Sequence, residues 1–146
     1  MGPNLDLVRE LAAGDHGLAV VVTARSDGTP HTSVVNAGVL DHPLGPEAVV
    51  AFVAGGGTVK LRHLRHRPHV SLVFRAGWRW VAVEGDAQLV GPDDPLEGID
   101  AEGLRLLLRA IFVAAGGQHD DFDEYDRVMA AERRTAVLVT PTRTSS

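Results

Sequence analysis

The sequence has no cysteine, one lysine, one tyrosine and only 5% aromatic residues. Without thiols there is no disulfide, thiolate metal site, iron–sulfur cluster or cysteine nucleophile. No apolar run approaches the roughly 18 residues of a membrane span. The opening Met1-Gly2-Pro3-Asn4-Leu5-Asp6 lacks the basic and apolar regions of a signal peptide. A cytoplasmic protein with no membrane partner is therefore expected. A net charge of −5 argues against nucleic acid as a partner. What is present is an ordinary globular balance, 45% apolar and 23% charged over 146 residues. One domain over 1–146 is expected, with an N-terminal helix within 1–14 and a flexible tail over 141–146.

The charge is unevenly placed. Lys60, Arg62, Arg65, Arg67, Arg75 and Arg79 lie in one stretch with His63, His66 and His69 and no acid, whereas the acids crowd between Asp93 and Glu132. A local basic patch on an acidic protein suits a small anion such as a phosphate. The plainer reading is a solvated helix face.

Hydrophobic periodicity marks the elements. Leu5, Val8, Leu11 and Ala12 repeat at helical spacing. Leu18–Arg25 is apolar on both faces, like a buried strand, and the Ser26–Pro30 turn leads to a partner strand at His31–Leu40. Ala48–Ala54 is a third strand. A helix with Leu61 and Leu64 inward follows and stops at Pro68. His69–Arg75 and Arg79–Val90 are strands, the second with Gly85 as its bulge. Ala101–Ala115 carries Leu104, Leu107, Leu108, Ile111 and Phe112 on one face. Asp121–Glu124 resembles a capping box opening a helix to Ala131. Arg134–Thr140 is the last strand. The pattern predicts a mainly β (α+β) fold: a six-stranded antiparallel barrel, closed or split, with short flanking helices and one outer face left for a partner subunit.

Gly55-Gly56-Gly57-Thr58-Val59-Lys60 joins a strand to a helix. Glycines allow close backbone approach, Thr58 suits an N-cap, and the first-turn N–H groups with Lys60 favour an anion. The order is neither a Walker loop nor a dinucleotide fingerprint. A simple strand-to-helix turn explains the same residues. His63, His66 and His69 lack the spacing and the carboxylate of a zinc motif, and no nucleophile or paired-carboxylate arrangement is evident. Anion binding without acid–base machinery points to chemistry borrowed from a cofactor.

Lys60-Leu61-Arg62-His63-Leu64-Arg65-His66-Arg67-Pro68-His69 resembles the K-x-R-N-L-R-R-D-P-R block of the pyridoxamine-phosphate-oxidase-like split barrels. Gly77-Trp78-Arg79-Trp80 through Val83-Glu84-Gly85-Asp86-Ala87 is similar to that family's G-W-x-x-x-x-V-E-G-x-A strand. His119–Tyr125 and Glu132-Arg133-Arg134 resemble the actinobacterial branch that uses the deazaflavin coenzyme F420. The resemblance implies an FMN-binding type of split barrel and a homodimer with cofactor sites at the subunit interface. It implies that Lys60 binds the cofactor phosphate, helped by Thr58, Arg62 and His63. Ser33, Val35, Asn36, Val53 and Ala54 would run beside the ring, and Trp78, Arg79 and Trp80 would reach across from the other subunit. The implied function is an oxidoreductase passing hydride from reduced F420 to a conjugated small molecule. The alternatives are an FMN-dependent flavoprotein or a non-enzymatic flavin, deazaflavin or tetrapyrrole carrier.

Overall fold

The chain's alternating apolar segments close on themselves. In the computed structural model, which describes residues 2–146, six antiparallel strands form a barrel in the order β1-β2-β3-β6-β5-β4. The strands are β1 (Leu18–Ala24), β2 (Pro30–Asp41), β3 (Ala48–Ala54), β4 (His69–Ala76), β5 (Arg79–Val90) and β6 (Thr135–Ser145). The helices are α1 (Asp6–Gly14), α2 (Val59–His66), α3 (Ala101–Ala114) and α4 (Phe122–Ala131). The mainly β, six-stranded antiparallel barrel is thus as expected.

Two apolar layers hold it. Inward residues such as Val21, Phe52, Leu72, Phe74, Val83 and Val139 fill the barrel, which α1 closes with Val8 and Leu11 and α2 with Leu61 and Leu64. The second layer lies outside the barrel wall. There Val49 and Ala51 of β3 and Ala136 and Leu138 of β6 meet Leu107, Leu108 and Ile111 of α3. Strand β3 and the first half of β6 are therefore buried on both faces, which is why Ala48–Ala54 and residues 136–139 read as unbroken apolar runs.

Strand β1 reads the same way but is packed on one face only. Ala19, Val21 and Thr23 are buried, while Leu18 and Val20 are exposed. Register continues the open face: Val20 lies beside Val34 of β2 and Val73 of β4, and Val73 beside Ala82 of β5. An apolar row thus crosses four strands on the outside of the barrel, with Val34 62% exposed.

Local chemistry sets the joints. Asp27 accepts from the Thr29 amide (3.0 Å) and hydroxyl (2.6 Å) in the first hairpin. The β5 register shifts between Glu84 and Gly85, where a Cβ would fall 2.0 Å from the Thr140 carbonyl oxygen. The bulge is thus a point where two backbones touch. Asp121 accepts from the Glu124 amide (3.1 Å) and Asp100 from the Gly103 amide (2.8 Å), each capping its helix.

One expectation needs correction. The tail over 141–146 is not free: β6 runs to Ser145, pairing Arg143 with Glu84 and Ser145 with Ala82, and Pro141 is buried. Its polar composition hid a strand held by backbone pairing with β5, to which Thr142 Oγ1 adds a bond by donating to the Glu84 carbonyl (3.1 Å). Trp78 belongs to the turn before β5, which begins at Arg79, and is fully exposed.

Candidate functional site

The end of β3 delivers the chain into Gly55-Gly56-Gly57, and α2 starts at Val59. The loop is held from below by the turn after α4. The Gly56 amide donates to the Glu132 carbonyl (3.0 Å), and a Cβ on Gly56 would meet Arg133 Cβ at 2.6 Å. That close seating places Arg134 against the loop, its Cζ 3.8 Å from the Cβ position of Gly55. The Arg134 amide donates to Met129 (3.0 Å), so its position is tied to α4.

A cavity of about 640 Å³ opens here, within the usual range for small-molecule sites. One side is cationic: Lys60 and Arg134, with Thr58 and Gly55 between. The strand side is formed by Val34, Val35, Asn36, Val53 and Ala54. Opposite stand Ile111, Phe112, Ala115, Tyr125 and Met129 from α3 and α4. No acidic side chain lines it among the described residues.

Electrostatics follow from this lining. Burial, and then the charge of Arg134, lowers the Lys60 pKa below the ordinary lysine value. Lys60 forms no ion pair among the described residues, whereas Arg134 is paired through Nε with Glu132 (3.0 Å), whose side chain does not line the cavity. Thr58 is the N-cap residue of α2 by position, but its hydroxyl makes no cap bond; Oγ1 is buried and unpartnered. A buried hydroxyl without a partner costs about 1–3 kcal/mol. The Lys60 ammonium and the Thr58 hydroxyl match the oxygens of a phosphate, so these residues fit a phosphate-bearing cofactor.

Of the residues named from sequence, Val35, Asn36, Val53, Ala54, Thr58 and Lys60 come together around this cavity. Ser33 lies further along β2, opposite Val21, with Oγ buried and unpartnered. His63 turns to the barrel end: Nδ1 is 2.9 Å from Thr23 Oγ1, and its ring meets His31 edge-on at 5.3 Å. Burial, then the positive neighbours His31, Arg67, Arg25 and Arg62, lowers its pKa. Arg62 is exposed on α2. Arg79 binds Glu10 of α1 in the same chain (2.8 and 3.2 Å), and Trp80 is half exposed on the open outer face. His69, read from sequence as lacking carboxylates, has Glu84 at 3.2 Å and Asp86 at 3.3 Å across the β4–β5 pair.

Sequence reasoning passed over Arg134, Phe112, Tyr125 and Met129 as site residues. Phe112 stood in the core-facing stripe of α3, and only the packing of α4 shows that its ring borders a space. Arg134 carried a usable signal: an arginine immediately before a strand whose first half is apolar.

Comparison with known proteins fits this architecture. A family model described as pyridoxamine 5'-phosphate oxidase matches residues 6–144. A related FMN-binding protein from Nostoc punctiforme superposes with a TM-score of 0.67 at 12% identity, covering 99% of this chain and 83% of that one. A conserved hypothetical protein from Mycobacterium tuberculosis gives 0.64 at 21% identity, over 92% and 80% of the two chains. A structure described as an F420 reductase gives 0.60 at 17% identity, over 93% and 94%. At these identities the structures show a shared fold. With the family pattern running from α1 to the last residues of β6, the chain belongs to the pyridoxamine 5'-phosphate oxidase family.

Proposed function

We propose that this protein is an oxidoreductase that binds a phosphate-bearing flavin or deazaflavin in the Lys60 cavity, with F420 the preferred cofactor. The observation that carries the reading is the Lys60 ammonium, without an ion pair among the described residues, beside the buried and unpartnered Thr58 hydroxyl at one end of a cavity whose other walls are largely apolar. That is the polarity of a ring with a phosphate arm. When bound and reduced, a deazaflavin supplies a hydride for an electron-poor conjugated acceptor.

The protein's own residues supply placement. Lys60 and the Thr58 hydroxyl hold the phosphate arm. Val35, Val53 and Ala54 give the ring a flat apolar bed, and Asn36 is fixed at its edge by donating to the His16 carbonyl (2.9 Å). Ile111, Phe112 and Met129 displace water from the opposite side, which strengthens electrostatic contacts within. Holding two reactants in register lowers the entropic part of the barrier. No side chain lining the cavity is needed as a nucleophile, and the proton that accompanies hydride comes from solvent or from the acceptor.

We further propose that a second copy of the chain covers the Val34–Val20–Val73–Ala82 row. The support is β1 itself, apolar on both faces yet packed on one. Trp78 and Trp80 then lie near the seam, where their exposed rings gain a partner.

Titration of the purified protein with F420 and with FMN tests the cofactor reading. Micromolar or tighter binding of one is expected, weakened at least tenfold by Lys60→Ala, since a hydrogen bond to a charged group is worth about 1.5–3 kcal/mol. Binding no tighter than millimolar for both would sink it. FMN retained through purification would favour the FMN-dependent alternative, for which the Nostoc punctiforme relative is the structural precedent. Tight binding with no turnover of any hydride acceptor would favour a carrier.

A further inference from the structure

Two features of the α4 side of the cavity are not explained by holding a cofactor. The first is the state of Arg134. Its Nε bonds Glu132 at 3.0 Å, and its Nη groups make no hydrogen bond among the described residues. The side chain is partly buried, follows α4 directly and borders the same cavity as Tyr125 and Met129. A guanidinium fork with both terminal nitrogens open is suited to a planar carboxylate, which it can grip with two parallel bonds. The Lys60 ammonium is a point charge better matched to a phosphate. Arg134, Tyr125 and Lys60 all line the same cavity.

The second feature is the wall itself. The Phe112 and Tyr125 rings meet at 4.9 Å between centroids, inclined at 46°. The Tyr125 hydroxyl is already spent, donating to the Leu108 carbonyl at 3.1 Å, so the residue offers its ring rather than its polar end. Phe112 is held in place from behind: a Cβ on Gly117 would come within 2.6 Å of the ring, so only glycine there lets the ring lie against the chain. Ile111 and Met129 extend the surface. A wall with no free donor or acceptor and two fixed rings selects a flat apolar body.

We propose that the α3–α4 side of the cavity is the acceptor subsite, that it takes a planar apolar ring system bearing one carboxylate, and that Arg134 is the residue that reads the carboxylate. This rests on the oxidoreductase reading above and names its substrate class. Phe112 sets the plane of the ring, and Arg134 sets which edge of it enters first. Quaternary or cationic ring compounds are excluded by the same pair of positive groups, since like charge in a half-buried site is costly.

The experiment uses the full chain and two probes of the same shape, naphthalene-2-carboxylate and its neutral counterpart naphthalene-2-carboxamide, with dissociation constants from ligand-observed NMR or calorimetry. The acid is expected to bind the wild type about tenfold or more tightly than the amide, the worth of one charge-assisted bidentate contact. Arg134→Gln should remove that preference and leave the amide within about twofold, as expected for a site that loses only its charge reader. Arg134→Lys should restore part of it. Phe112→Ala and the milder Phe112→Leu should weaken both probes together. Lys60→Ala should weaken the acid less than Arg134→Gln does.

Equal binding of acid and amide to the wild type overturns the proposal. So does a larger effect of Lys60→Ala than of Arg134→Gln on the acid, or unchanged binding of both probes by both Phe112 variants. If Arg134→Gln weakens F420 or FMN as much as Lys60→Ala while leaving the acid unaffected, the guanidinium belongs to the cofactor and the proposal falls. The oxidoreductase reading fails separately, by the absence of cofactor binding to the wild type, whatever the naphthalene probes show.

Discussion

Arg109 of α3 holds Asp126 of α4 with two nitrogens, Nε to Oδ1 at 2.9 Å and Nη2 to Oδ2 at 2.5 Å, and Arg105 adds a third bond at 2.9 Å. This clamp joins the two helices that supply one wall of the cavity. The paired guanidinium groups hold the Asp126 carboxyl down to about 2, with the Arg109 hydrogen bond the largest cause. The folded-state value is depressed, so the contribution is complete above the unfolded value near pH 4 and is lost as pH falls from about 4 towards 2. Asp126→Asn should lower Tm at pH 7 by a few degrees. The gap to wild type should narrow at pH 3, read by circular dichroism melts at both pH values. A gap that stays constant from pH 7 to pH 3 would show that the charge is not what matters.

His69 runs the opposite way. The Glu84 hydrogen bond, assisted by Asp86 and opposed by partial burial, raises its pKa above the ordinary value near 6.5. The imidazolium therefore stabilises the β4–β5 pair below the unfolded-state value, and that help is lost as pH rises through the folded-state value. Arg143 also approaches Glu84, at 3.5 Å, so the carboxylate is shared between two cations. Histidine NMR titration should give a His69 midpoint above 6.5, returned to the ordinary range by Glu84→Gln together with Asp86→Asn. A midpoint at or below 6.5 in the wild type would contradict this placement.

Why the sequence disclosed so much of the barrel is plain from β3. Every residue from Val49 to Phe52 is buried, because the strand has core on one face and α3 on the other, and such strands cannot tolerate polar residues. Where backbone pairing holds the strand, pattern gives little. Thr142, Arg143 and Thr144 carry no apolar alternation, yet β6 continues through them by pairing with β5. The site was half legible for the same reason. Lys60 and Thr58 stand in a local glycine-loop pattern, so their place together at the cavity shows in one stretch of sequence. Arg134 and Tyr125 reach the cavity from elements more than sixty residues along the chain from Lys60. His63, expected to help at the cofactor phosphate, bonds Thr23 in the structure, while Leu64 of the same helix packs inward.

The outer apolar row supplies a test of assembly. Val34 is 62% exposed, and Val20 beside it is 37% exposed. Val34 lies on the open outer face and at the edge of the cavity, so a charge at position 34 stays in reach of solvent in a lone chain. Val34→Glu should therefore leave the circular dichroism spectrum unchanged but shift the mass measured by light scattering from dimer to monomer. Unfolding of the variant would be checked by Val34→Thr, which keeps the strand shape and should weaken association less. Wild-type protein that elutes as a monomer at high concentration would remove the case for a partner copy.

Gly38 fixes how closely α3 docks on β2. A Cβ there would lie 2.4 Å from the Ala114 carbonyl carbon and 2.7 Å from the Ala115 amide nitrogen, both backbone atoms. Neither can turn aside, so the end of α3 must move outward, carrying Ala115 and Phe112 with it. Gly38→Ala should cost about 1–3 kcal/mol, the usual range for overpacking, and should loosen binding at the cavity. Gly28→Ala makes a control: no atom lies within 4 Å of its Cβ position, so only the positive φ of 86° is penalised. Denaturant melts of the two variants should rank Gly38→Ala as the more destabilised.

Lys60 gives the last prediction, because its ammonium is both the anchor for an anion and the group most easily discharged. Burial and the Arg134 charge lower its pKa, so it loses its proton at a lower pH than a solvated lysine does. A bound phosphate favours the charged form, so binding and protonation are linked: the ligand raises the lysine pKa, and raising the pH weakens the ligand. Affinity for FMN or F420 should therefore hold through neutral pH and begin to decline before pH reaches the free-lysine value of about 10.4. Lys60→Arg keeps its charge over that interval, since guanidinium does not titrate below about pH 12. It should bind more weakly for want of fit, but with a flat pH profile. A wild-type profile as flat as that of Lys60→Arg would show that Lys60 does not carry the phosphate contact.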